Sequence, residues 1–145
     1  MKINPYLNFD GNAEEAFEFY KKIFGKEFDA VMRFGEIPPQ KGVEFPTEEK
    51  NRIMHISMPL GEGYLMASDT SPSQGHKLIQ GNNVYISLNP DSLEESRRLY
   101  KELTQDAKKI EMELQKMFWG DYFASFADKF GVMWMINYKA KEGEE

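Results

Sequence analysis

The chain has 145 residues, 41% hydrophobic and 14% aromatic, with a formal net charge of -6 and no cysteine. That is enough for one domain, spanning residues 1–145, with a real core. It excludes disulfides, zinc fingers and thiol nucleophiles, and an acidic balance without clustered Lys/Arg argues against a nucleic-acid partner.

No apolar run approaches a membrane span, and the opening MKINPYLNFDG does not read as a signal peptide. No membrane partner is expected, and the cytoplasm is the expected compartment. The segment KINPYLNF alternates, with Asn4, Tyr6 and Asn8 on one face and Ile3, Leu7 and Phe9 on the other. This predicts a half-buried strand. A helix follows in AEEAFEFYKKIFG, with Asn12 and Glu15 spaced as a capping box and Gly25 as its stop. Ala13, Ala16, Phe17, Tyr20, Ile23 and Phe24 form its apolar stripe. Strands are predicted near Glu27–Phe34, Arg52–Met58 and Tyr64–Ser68, with a tight turn in PLGEGY between the last two. The intervening EIPPQKGVEFPTEEKN, residues 36–51, reads as a solvated surface loop, with a lid or a dimer contact as the alternative.

After a Gly/Asn/Ser-rich stretch from Asp69 to Asn82 the pattern restarts. NVYISL predicts a strand and DSLEESRRLYKEL a helix, with Ser92 and Glu95 as a second capping box. Strands near Lys109–Leu114, Tyr122–Ala127 and Val132–Tyr138 complete the unit, and KAKEGEE reads as a charged, frayed tail over 139–145. The last two strands are joined by ADKFG, where Gly131 supplies a left-handed residue. Val132, Trp134 and Ile136 should face the helix layer; Met133, Met135 and Asn137 should face the cavity.

The two units superpose in sequence. NPYLNF followed by AEEAFEFY lies over NVYISL followed by LEESRRLY, which brings Tyr6 opposite Tyr85 and Asn8 opposite Ser87. The fold predicted is α+β: two βαβββ modules, about 1–69 and 82–138, in pseudo-twofold arrangement. Their curved mixed sheets would enclose a cavity, with the helices outside.

The blocks PYLNFDGNAEEAFEFYKKIFG, IMHISM, YLMASD and FWGDYFASFADKFGVMWMINY together resemble the PhnB-like branch of the vicinal oxygen chelate superfamily, the glyoxalase, bleomycin-resistance and extradiol-dioxygenase fold. The resemblance covers Pro5 to Asn137. It departs from the branch at QDAKKI, where a Gly-Gly turn is frequent, and at Ala127, where Thr is frequent. The resemblance implies paired modules and a homodimer. A demethylubiquinone methyltransferase label is attached to the branch, but Gly61-Glu62-Gly63 reads as a hairpin turn rather than the glycine-rich loop such an enzyme uses.

The resemblance also implies where a divalent metal would sit: on side chains from the first, fourth, fifth and eighth strands. Carried over, these positions are Asn4; Tyr64, Met66 or Ser68; Asn83 or Val84; and Met135. This is no credible site for a divalent ion. No cofactor is therefore expected, and a divalent metal is the minor alternative. His55 remains as a candidate catalytic group, since imidazole titrates near neutrality. Its plain reading is a half-buried histidine satisfied by a neighbour.

Strand parity assembles a candidate ligand wall: Tyr6, Asn8, His55, Ser57, Met66, Ser68, Tyr85, Ser87 and Met135. Trp119, Asp121 and Tyr122 are placed at its rim. Hydroxyls and amides beside Met and aromatics suit a small organic ligand, though the same residues would also serve as cavity filling or a subunit contact. Three functions stay open: a metal-free small-molecule binding protein; an isomerase, lyase or group-transfer enzyme using a metal or His55; and a dimeric interaction module with exposed aromatics such as Phe19 at the interface.

Overall fold

The computed structural model describes all 145 residues. The chain divides into two compact units, Met1–Ile79 and Gln80–Glu145. Residues 70–79, read above as part of a connecting stretch, belong to the first unit.

The first unit contains β1 (Tyr6–Phe9), α1 (Ala13–Phe24), β2 (Ala30–Arg33), the one-turn α2 (Thr47–Lys50), β3 (Ile53–Leu60) and β4 (Gly63–Asp69). Its sheet runs β1-β4-β3-β2, with β1 parallel to β4 and the other pairs antiparallel. The second unit contains β5 (Ile86–Leu88), α3 (Leu93–Leu103), β6 (Lys109–Lys116), β7 (Tyr122–Ala127) and β8 (Met133–Tyr138). Its sheet runs β5-β8-β7-β6, again with the first pair parallel. These are two βαβββ modules of one topology, as the internal repeat predicted.

The helical stripe of α1 is the reason the first sheet has a core. Ala13, Ala16, Phe17, Tyr20 and Ile23 are buried, Phe24 half-buried, and the helix packs on β3 and β4. Facing residues Ile56, Met58, Leu65 and Ala67 are buried too. Each large apolar side chain so covered stabilises the fold by about 1.5–3 kcal/mol. Phe19, expected to be exposed, is half-buried with its ring against Tyr20. In the second unit Trp134 and Ile136 are fully buried, and Phe126 meets Tyr100 of α3 edge-on at 5.8 Å.

The helix ends differ from each other. At α3, Ser92 Oγ accepts from the Glu95 N–H at 3.0 Å, and the Glu95 carboxylate returns to the Asp91 N–H at 2.9 Å, one residue before the cap. At α1, Asn12 makes no side-chain cap bond. The buried Asp69 takes over: its Oδ1 accepts from Gly11 and Ala13, and its Oδ2 from Ile53, all within 3.0 Å. One carboxylate thus ties the α1 start and the β3 start to the end of β4. The predicted capping box at α1 fails because a tertiary acceptor outcompetes a local one.

Two predicted irregular segments are held in place. The tail is tied by Glu144, which accepts from Tyr138 Oη at 2.8 Å and the Lys141 N–H at 3.0 Å. The 36–51 loop is closed at its ends by Arg33, whose Nη1 donates to the Asn51 carbonyl at 3.0 Å while Nη2 pairs with Glu14 at 2.6 Å. The predicted turn at Gly131 is present, with φ of +83°. That left-handed backbone is what favours glycine there; a Cβ would meet only the far end of the Gln80 side chain, at 2.7 Å.

Candidate functional site

The face of the first sheet opposite α1 carries the candidate residues in two rows. Register places Tyr6 beside Met66, Met66 beside Ser57 and Ser57 beside Ala30. One step along, Asn8 lies beside Ser68, and His55 beside Met32. Parity from the sequence therefore assembles one face, with one exception. Simple alternation along β3 would put Ile53 on the His55 face, but Ile53 is buried in the core. The reason is a β-bulge. Met32 pairs with His55 but Arg33 pairs with Ile53, so Met54 is an extra residue on β3. It turns Ile53 inward and Met54 toward the open side.

Around this bulge lies an open pocket of about 790 Å³, within the size range of small-molecule sites. Its polar lining includes Tyr6, Asn8 and Ser68, and its apolar lining Phe34, Met54, Leu78 and Ile79. Asp69, Thr70, His76 and Lys77 also border it. Asp69 adds little free acceptor capacity, because its oxygens already receive the three backbone N–H groups described above. The Asn8 side chain has no partner within the chain, which leaves both a donor and an acceptor at the pocket wall.

Beside the pocket is a chain of hydrogen bonds. Tyr6 Oη bonds His55 Nδ1 at 3.1 Å and also Ser68 Oγ; Ser68 Oγ donates to the Met54 carbonyl at 2.7 Å. The Tyr6 and His55 rings lie 5.8 Å apart, tilted by 34°. His55 itself is not part of the pocket lining; it reaches it through Tyr6. Ser57 is buried and Met66 half-buried, both outside the pocket.

The remaining sequence candidates belong to the second unit. Ser87 pairs with Met135, and Met135 with Ser125, in one row across that sheet. Tyr85 Oη donates to Glu111 at 2.7 Å, and this bond, with burial and the carboxylate charge, holds the phenol above its ordinary value of 10.0. Trp119 is exposed, edge-on to the still more exposed Phe118 at 4.8 Å. Asp121 is bonded by Asn137 Nδ2 at 3.4 Å. Tyr122, expected at a rim, is a core residue packed with Leu93 and Tyr138. Its parity with Ala124 and Phe126 puts it on the α3 side of β7.

The pocket wall from Gly75 to Ile79 was not foreseen. Its sequence signal is slight: Leu78-Ile79, two apolar residues inside a polar stretch. This wall hangs from a 3-10 turn at Pro72–Gln74 that is pinned by Glu49 of α2. Glu49 accepts from Ser71 Oγ at 2.8 Å, the Ser73 N–H at 2.8 Å and Ser73 Oγ at 2.6 Å. Burial pushes the Glu49 carboxyl up, but the Ser73 and Ser71 bonds, with Arg52 nearby, outweigh it and leave the group below the usual 4.5. So the end of the 36–51 loop is a buttress for the pocket rather than free surface.

The donor set does not fit the divalent metal that the resemblance implies. No group of three or more His, Asp or Glu side chains stands close enough to share an ion. Asn4, at the first-strand position, spends its Oδ1 on the Tyr64 N–H at 2.9 Å. Met135 supplies only a thioether, a soft donor unsuited to the ions that take oxygen ligands.

A model of the Glyoxalase/Bleomycin resistance protein/Dioxygenase superfamily matches residues 2–136. Protein YjdN of Escherichia coli (strain K12) is 34% identical over 146 residues, covering 94% of this chain and 95% of that one. The crystal structure of protein PA1353 from Pseudomonas aeruginosa is similar at a TM-score of 0.84 and 36% identity, covering 97% of this chain and 99% of that one. A PhnB protein from Bacillus cereus, described as a putative 3-demethylubiquinone-9 3-methyltransferase, is similar at 0.75 and 26%, covering 95% and 99%.

Proposed function

The chain belongs to the glyoxalase/bleomycin resistance protein/dioxygenase superfamily, and from that premise we propose that it binds a small organic molecule in the first-unit pocket without a resident divalent metal. The observation that carries this is the composition of the pocket wall. Asn8 offers an amide with no partner in the chain, while Phe34, Met54 and Leu78 offer apolar area. That mixture orients a ligand by polar contacts and holds it by desolvation. The metal-free part rests on the donor set, in which Asn4 Oδ1 is already bonded and Met135 offers only a thioether.

Methyl transfer, the activity named for the Bacillus cereus relative, finds no support in this chain's residues. Gly61-Glu62-Gly63 is the β3–β4 hairpin turn, not a glycine-rich loop between a strand and a helix of a parallel sheet.

A thermal-shift screen of small amphipathic compounds tests the proposal. A ligand at a hundred times its dissociation constant stabilises the fold by about 2.7 kcal/mol, which such a screen resolves. The expected result is one or more stabilisers that keep their effect after EDTA treatment and lose it in Asn8→Leu. Stabilisation that disappears with EDTA, stabilisers indifferent to Asn8→Leu, or no stabiliser at all would overturn it.

A further inference from the structure

We infer that His55 carries its proton on Nδ1 and presents an unprotonated Nε2 to solvent beside the pocket, as the acceptor for a hydroxyl or ammonium group of the ligand.

Proton counting forces the first half. Three contacts join four groups in series: His55 Nδ1 to Tyr6 Oη, Tyr6 Oη to Ser68 Oγ, and Ser68 Oγ to the Met54 carbonyl. A carbonyl only accepts, so the single Ser68 proton goes to Met54. Ser68 must then accept from Tyr6, which uses the single Tyr6 proton. Tyr6 is left able only to accept, so His55 Nδ1 must be the donor. No other placement of the three protons satisfies the three bonds. The series begins at the bulge, where the Met54 carbonyl takes its bond from a side chain.

The second half follows by elimination. Nε2 has no partner within the chain, and no buried side-chain nitrogen or oxygen lacks one, so Nε2 is reached by solvent. With Nδ1 protonated, the neutral ring holds its lone pair on Nε2. Tyr6 and Ser68 look like ligand donors in the sequence, yet both protons are spent inside the protein. They are positioning residues for His55. A ligand that extends from the pocket past Tyr6 meets an acceptor at Nε2, which selects for an O–H or N–H. The ligand role rests on the pocket reading above; the tautomer does not.

Nitrogen-15 NMR of the histidine rings at mildly alkaline pH tests both halves. The chain has two histidines, and loss of one signal set in His55→Gln assigns them. The expected spectrum gives His55 a protonated-type Nδ1 and an imine-type Nε2, with Tyr6→Phe shifting this balance toward the other tautomer. An Nε2–H tautomer in the native protein, or no change in Tyr6→Phe, overturns the relay. Phenol and anisole then serve as probes that differ only in the donor. Phenol should move the His55 Nε2 resonance and anisole should not; equal effects, or none at the highest soluble phenol concentration, overturn the acceptor role. A correct tautomer with an empty thermal-shift screen would sink the pocket reading alone, so the two failures are distinguishable.

Discussion

The two halves of this chain share a topology and differ in chemistry. Each is a βαβββ module with its first and last strands parallel, and the repeat aligns Asn8 with Ser87. In the first half Asn8 sits beside Ser68, a residue that can both give and take a hydrogen bond; in the second, Ser87 sits beside Met135, which can do neither well. A relay grows from Ser68 through Tyr6 to His55. The equivalent row of the second sheet, Ser87, Met135 and Ser125, has no such chain. A duplicated scaffold thus keeps its backbone pattern while one side chain per row decides whether a chain of hydrogen bonds forms on that face.

The halves also use a buried aspartate differently. Asp69 gathers three backbone N–H groups from the α1 start and the β3 start. Asp128 serves one hairpin, accepting from the Phe130 and Val132 N–H groups and from the Trp134 indole, all within 3.0 Å. Removing either acceptor leaves buried donors unsatisfied, so Asp69→Ala and Asp128→Ala should each cost about 3–5 kcal/mol in urea unfolding. The comparison sharpens in hydrogen exchange. Asp69→Ala should expose the Gly11, Ala13 and Ile53 amides together, whereas Asp128→Ala should expose the Phe130 and Val132 amides of its hairpin. A near-neutral Asp69→Ala would break the claim that one carboxylate ties α1 and β3 to β4.

A smaller contrast lies at the helix caps. Ser92→Ala should destabilise by about 1 kcal/mol, the usual worth of a bonded N-cap. Asn12→Ala should cost only a few tenths of that, because Asp69 already serves the α1 donors. Equal losses in the two variants would mean that Asn12 caps α1 in solution.

The smallest effect expected is a pH dependence confined to the first unit's buttress. The folded Glu49 carboxyl lies below its usual 4.5, so its contribution is present above that value and fades as pH falls through the lower, folded one. Stability of the native protein should therefore drop on the acid side of 4.5 more steeply than that of Glu49→Gln, measured by urea midpoints across that range. Parallel curves would show that the Ser71 and Ser73 bonds do not favour the ionised form.

Periodicity was enough for most of the fold. The stripe of α1, the alternation of β7 and the turn at Gly131 are local, and local sterics and burial decide them. The repeat made the module order legible, and parity on β1 and β4 put Tyr6, Asn8 and Ser68 on one face. Parity failed at Ile53, because a bulge inserts one residue without any mark in the sequence. It failed at Tyr122 for a different reason: the residue reads as a polar-tipped rim aromatic, while its place in the β7 alternation puts it under α3.

What the sequence determined by itself is therefore the repeat, the element order and the residue types at the strand positions the family resemblance supplied. These depend on residue type and spacing alone. What only the tertiary structure decided is the pocket wall at 75–79, its buttress at Glu49 and the direction of the protons between His55 and Met54. Each of these joins residues far apart in the chain; in the relay alone the separations run from 14 positions for Ser68 and Met54 to 62 for Tyr6 and Ser68. A hydrogen bond has a direction only when its partners are known, and no spacing along the chain names them.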